Sequence, residues 1–182
     1  MQVLGVDADG DFDVSVDMGR VSFPTGPPFV RQGACVDGLV RLGLEEPSVA
    51  DSMSIRALPV SVGNPHAVIF ADSWTRERVS ALGPLVATHP DFPQGTNVQF
   101  AEAPSGRTVT IQIWERGVGR TTSSGTSACA AAAAAVRTGG LAPGPIRVEM
   151  EGGAFDVTIG DDWSTRLRGP VRPVLEGRLT DP

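Results

Sequence analysis

The densest chemistry in the sequence lies between Trp114 and Cys129, WERGVGRTTSSGTSAC. A strand-like run delivers Glu115 and Arg116. A glycine-rich turn follows (Gly117, Gly119), then a Thr/Ser cluster, then Gly125-Thr126 opening an alanine-rich helix. A helix start carries unpaired N–H groups and the positive end of the helix dipole, so it suits a carboxylate or phosphate. Gly125 lacks a Cβ and lets a ligand reach the backbone. The plainer alternative is that Ser123 or Ser124 caps the helix with its own hydroxyl.

Two more strings could position polar groups. Gly63–His66 (GNPH) is turn-forming and sets an amide, Asn64, beside an imidazole, His66. In QGTNVQF (Gln94–Phe100), Asn97 enters a strand. Asn occurs only at positions 64 and 97, and His only at 66 and 89. In a chain so poor in Asn, each one marks a place where a side-chain amide is needed. Read alone, Asn64 is a turn residue and His66 a satisfied, partly buried histidine.

Other chemistries are not supported. The His and Cys residues lack metal-ligand spacing, and Asp7, Asp9, Asp11 and Asp13 miss the calcium-loop pattern, so that stretch reads as a solvated loop. Cys35 and Cys129 read as small buried residues rather than reactive thiols. No dinucleotide or phosphate-loop glycine pattern occurs, and no metal or cofactor is expected. All 15 basic residues are Arg, the net charge is −6, and a general nucleic-acid face is not expected. No apolar run is long enough to span a membrane, and the N-terminal residues do not read as a signal peptide. Two cysteines make no disulfide framework, which points to a cytoplasmic setting.

The elements that must hold these groups are mostly strands. Runs over Phe12–Met18, Leu58–Val62, Ala67–Phe70, Asn97–Glu102, Thr108–Trp114, Ile146–Met150, Ala154–Ile159 and Ser164–Arg168 are rich in β-branched or alternating apolar residues. A helix is expected over Trp74–Leu82, capped by Asp72-Ser73 and ended by Gly83-Pro84. A second is expected over Thr126–Thr138 and is nearly all alanine. With 182 residues, 41% of them hydrophobic, the chain suits one domain. The predicted fold class is α+β: a mostly antiparallel, barrel-like β lobe wrapped around one Ala-rich helix.

VDMG (Val16–Gly19), GNPHAV (Gly63–Val68), FPQGTNVQF (Phe92–Phe100), WERGVG (Trp114–Gly119), SGTSACAA (Ser124–Ala131), Gly152-Gly153 and RGPVRPVLEG (Arg168–Gly177) stand in the same order in diaminopimelate epimerase. The chain resembles the C-terminal half of that family over almost its whole length. The resemblance implies residues 1–182 as a single lobe, with the N-terminal lobe absent. It implies an isomerase that works without pyridoxal phosphate, converting LL- to meso-diaminopimelate on the route to lysine and peptidoglycan. Two cysteines, one per lobe, would act as base and acid across the α-carbon.

Carried onto this chain, the resemblance implies that the Gly125 and Thr126 N–H groups hold the reacting carboxylate. Asn64, Asn97 and Arg116 fix the distal amino-acid end, and Glu115 meets the substrate ammonium and, with His66, flanks the acid/base pair. The departures are specific. Ser124 stands at the catalytic-cysteine position, and Arg120 stands where the family has Glu. A hydroxyl is far less acidic than a thiol, so this chain alone is expected to be inactive. The alternatives are a non-catalytic lobe that binds an amino acid or a partner, and an isomerase of another small acid. The partner is a small amino-acid substrate, with a second copy or the missing N-terminal lobe on the open side, and neither nucleic acid nor membrane.

Overall fold

A computed structural model describes residues 1–6, 8–44 and 53–177. Asp7 of the acidic stretch lies outside the described residues. The strands are β1 (Gln2–Val6), β2 (Phe12–Arg20), β3 (Cys35–Val36), β4 (Leu39–Leu44), β5 (Met53–Ser61), β6 (Pro65–Ala71), β7 (Asn97–Glu102), β8 (Thr108–Glu115), β9 (Gly119–Thr121), β10 (Gly144–Met150), β11 (Gly153–Ile159) and β12 (Ser164–Val171). The helices are α1 (Arg76–Ala87) and α2 (Gly125–Arg137). The strands form one open mixed sheet in the order β1-β2-β12-β11-β10-β8-β7-β6-β5-β4-β3, with β9 on β8.

All the predicted strands are present. The two parallel ladders were not foreseen. β6 pairs β7 in parallel, and β8 pairs β10 in parallel. Each pair is bridged by a helix, α1 in the first and α2 in the second, because a parallel return needs a crossover. The helices lie on opposite faces. Alternate residues Ala67, Ile69, Val98 and Phe100 pack with Val79, Leu82 and Val86 of α1. Val68, Ala101, Ile111 and Ile113 pack with the alanines of α2. The period-2 alternation of strands thus divides one sheet between two cores.

In α2, every residue from Ser127 to Ala135 is buried. The helix packs against β5, β6, β7, β8, β10, β11 and β12. Alanine side chains let strands on several sides approach one backbone.

The first helix departs from its predicted limits. It starts at Arg76, and Thr75, not Asp72 or Ser73, caps it by accepting from the Arg78 N–H. It also runs through Gly83-Pro84 to Ala87. Pro removes one helical N–H, but Gly83 has a packing role here. A Cβ on Gly83 would clash with Trp114 Cδ2. The glycine admits the indole, and burial of Leu82 and Val86 on either side outweighs the breaker signal.

The acidic stretch is not wholly a solvated loop. Asp13 lies in β2, where Arg168 of β12 donates to both its carboxylate oxygens. Asp11 pairs with Arg172 in the same two-pronged way.

Candidate functional site

Topology brings the chemistry-bearing strings to one end of the sheet. β6 and β7 are parallel, so both begin there, with His66 opposite Asn97. β8 is antiparallel to β7 and therefore ends there, at Glu115. The first turn of α2 joins them, because Gln99 Nε2 donates to Ser127 Oγ at 3.0 Å.

Ser124 is the N-cap of α2, with extended backbone at φ −159° and ψ 124°, and its side chain makes no capping bond. Its carbonyl accepts the Ala128 N–H at 3.0 Å, closing the first helical turn. The hydroxyl-capping alternative for Ser124 is not adopted, and the helix start keeps its positive end. Gly125 has a second constraint besides ligand approach, since a Cβ there would come within 3.0 Å of Leu167 Cδ2.

His66 is buried, and its Nε2 lies 3.0 Å from Asn64 Oδ1. Burial pushes its pKa down to about 4; hydrogen bonding to Gln99 opposes that and the Arg116 charge adds to it. His66 is therefore neutral at pH 7. Asn97 Oδ1 accepts the Arg116 N–H at 2.9 Å, so this amide holds the end of β8 rather than standing free. The Arg116 guanidinium donates to the Gln94 carbonyl and lies over Gly95, where φ is +66° and a Cβ would meet Arg116 Cδ at 2.9 Å. Glu115 is half-buried at the mouth of the β8–β9 hairpin.

Of the predicted residues, the structure thus joins Asn64 to His66 and Asn97 to Arg116 directly. Ser124, Gly125 and Thr126 form the helix start. Among the described residues no hydrogen bond links Glu115, His66 and Ser124 to one another. Cys129 cannot replace the missing thiol at position 124. It is fully buried, and burial pushes its pKa up to about 12. Among the described residues no group of three His, Cys, Asp or Glu side chains gathers as a metal site.

Three residues of this region were not singled out from sequence. Gln99 and Ser127 form the buried link between β7 and α2. The signal for Gln99 was its place two residues after Asn97, on the same strand face. Glu151 is the third. It accepts from Arg120 at 2.6 Å and from Arg76 at 2.9 Å, beside the Gly152 N–H that donates to the Thr122 carbonyl at 2.8 Å. The β10–β11 turn is thereby pinned to the loop leading into Ser124.

A sequence profile of the family described as diaminopimelate epimerase matches residues 58–174. The chain belongs to the diaminopimelate epimerase family. It is 35% identical over 179 residues to the diaminopimelate epimerase of Azotobacter vinelandii, covering 97% of this chain and 62% of that one. It is 37% identical over 175 residues to the diaminopimelate epimerase of Geobacillus thermodenitrificans, covering 91% and 59%. The chain spans about three fifths of the length of these curated relatives. It superposes on a predicted epimerase of Pseudomonas aeruginosa at a TM-score of 0.56 and 19% identity, covering 94% of this chain and 60% of that one. A hydroxyproline epimerase of Agrobacterium vitis gives a TM-score of 0.56 at 19% identity, covering 86% and 48%. These structural likenesses speak to the fold. The family match extends from β5 to the residues just after β12 and so includes every predicted site residue. No helix among the described residues is long and apolar enough to cross a membrane.

Proposed function

We propose that this chain is the carboxylate-holding lobe of a cofactor-independent amino-acid epimerase, with diaminopimelate as substrate. In this reading the β-strands close around α2 as a barrel-like lobe. The observation that carries it is the uncapped start of α2, which Ser127 and Gln99 tie to the strand paired with that of the neutral, buried His66. The Gly125 and Thr126 N–H groups hold the reacting carboxylate and stabilise the charge that develops when the α-proton leaves. Asn64 meets the distal end of the substrate, and Arg116 offers it the donors not spent on Gln94. Glu115 receives the ammonium.

Epimerisation needs a base on one face of the α-carbon and an acid on the other. Ser124 supplies neither at rest, because its hydroxyl holds its proton at neutral pH. The second face belongs to the part of the family's length that this chain does not span, or to a second copy associating through the open side. The work is cytoplasmic and uses no metal, nucleic acid or membrane.

A second reading rests on Ser124 itself: with the thiol replaced, the lobe binds an amino acid or a partner without turning it over. Two measurements test the readings. Titration of the labelled chain with diaminopimelate should move the Gly125 and Thr126 amide resonances; unmoved amides would overturn the epimerase reading and leave partner binding. Deuterium uptake at the substrate α-carbon should be absent for the chain alone. Uptake at the rate of a full-length epimerase would overturn the role given to Ser124.

A further inference from the structure

Among the described residues, two buried atoms of the site find no hydrogen-bond partner, His66 Nδ1 and Gln99 Oε1. Their residues are nearly sealed, at 1% and 0% exposure. An amide oxygen only accepts, whereas an imidazole nitrogen donates or accepts according to tautomer. The register pairs Gln99 with Val68, two residues along β6 from His66, so both side chains share the sheet face toward α2. Gln99 is also anchored at its far end, through Nε2 on Ser127 Oγ at 3.0 Å. In this orientation its amide nitrogen is engaged by Ser127 and its oxygen is the free end.

The tautomer decides whether these atoms are satisfied. With the ring proton on Nε2, donated to Asn64 Oδ1, Nδ1 is a bare acceptor and Gln99 Oε1 remains another, both away from water. With the proton on Nδ1, the ring turns a donor to the sheet face it shares with Gln99, whose free oxygen is the acceptor that donor needs. Asn64 then meets Nε2 with its amide NH2, after a half-turn of a side chain that is only half-buried. A doubly protonated ring would also satisfy both oxygens, but burial keeps His66 neutral at pH 7. The Gln99 amide favours the protonated ring, as a nearby accepting oxygen does.

We propose that Gln99 is a positioning residue that holds His66 as the Nδ1–H tautomer and leaves Nε2 as the proton acceptor facing the Asn64 loop. His89 provides the contrast within the same chain. Its Nδ1 accepts the Asp91 N–H at 3.2 Å, so neutral His89 carries its proton on Nε2. The catalytic meaning rests on the epimerase reading, in which a bare Nε2 can take a proton from the cleft side. The tautomer itself does not, so the spectroscopic test below stands apart from any activity.

The test is a long-range proton–nitrogen spectrum of the 15N-labelled chain at pH 7, with His89→Gln used to assign the two rings. Expected are opposite patterns: Nδ1–H for His66 and Nε2–H for His89. Asn64→Ala should leave the His66 pattern intact. Gln99→Met, close in size but without the amide oxygen, should reverse it. Nε2–H at His66 in the unaltered chain, or in Asn64→Ala, overturns the proposal. So does Nδ1–H persisting in a folded Gln99→Met. If Gln99→Met fails to fold, the first two spectra decide the matter.

Discussion

Gly83 lies directly against the indole of Trp114: a Cβ on the glycine would clash with Cδ2 and stand 2.6 Å from Cγ. The obstacle is a ring packed against the α1 core, not the tip of a flexible side chain. Gly83→Ala should therefore destabilise the fold even though alanine favours helix. Overpacking of this kind costs about 1–3 kcal/mol. Urea denaturation should show that loss, and an unchanged or raised midpoint would contradict the packing assigned to α1. Because Trp114 precedes Glu115, the same variant should also disturb the amides at the end of β8.

His66 makes stability depend on pH. Its folded pKa is lowered to about 4 from an ordinary 6.5. The unfolded chain therefore takes up a proton that the folded chain refuses. Stability is fully present above pH 6.5 and falls as pH drops toward about 4, by at most about 3 kcal/mol. Denaturation midpoints between pH 7.5 and 5, in a His89→Gln background, should decline, and His66→Gln should flatten the slope. Asp11 and Asp13, whose carboxyls their arginine partners hold below the usual range, act at lower pH and leave this window clear.

Arg120 and Glu151 should show coupling. Their 2.6 Å contact is partly shielded, with side-chain exposures of 19% and 43%. Removing either charge should loosen the loop from Thr121 to Ser124, with a coupling energy of about 0.5–1 kcal/mol. A double-mutant cycle measures it, and the swapped pair Arg120→Glu with Glu151→Arg should recover much of the loss. Additive effects without recovery would mean that Gly152 and Thr122 hold the loop unaided.

Thiol chemistry reads the site directly. Burial raises the pKa of both Cys35 and Cys129, the latter to about 12. The folded chain should expose one slow thiol, Cys35, and Cys129 should react only on unfolding. Ser124→Cys should add a third, faster thiol, because the start of α2 favours a thiolate. Alkylation rates compare the two. A cysteine at position 124 slower than Cys35 would contradict an open, positively polarised helix start.

Residue order alone revealed eight of the strands between Phe12 and Arg168, but not β1, β3, β4 or β9, along with the alanine helix and the three strings of the candidate site. These are local signals: alternation, propensity and turn chemistry act within a few residues. The family resemblance was legible for the same reason, since GNPH and WERGVG are contiguous. What the sequence did not reveal depended on contacts between distant residues. Gly83-Pro84 read as a helix end because nothing local announces Trp114 above it. Asn97 reads as a ligand group, and only the packed sheet shows that its oxygen also accepts the Arg116 backbone N–H. Gln99 and Ser127, 28 positions apart, became partners only when β7 and α2 packed together. Glu151 meets Arg120 only because the β10–β11 turn packs against the loop that precedes the helix. Local free energies chose the elements; burial chose which polar groups had to find one another, because an unpaired group inside the protein cannot turn back to water.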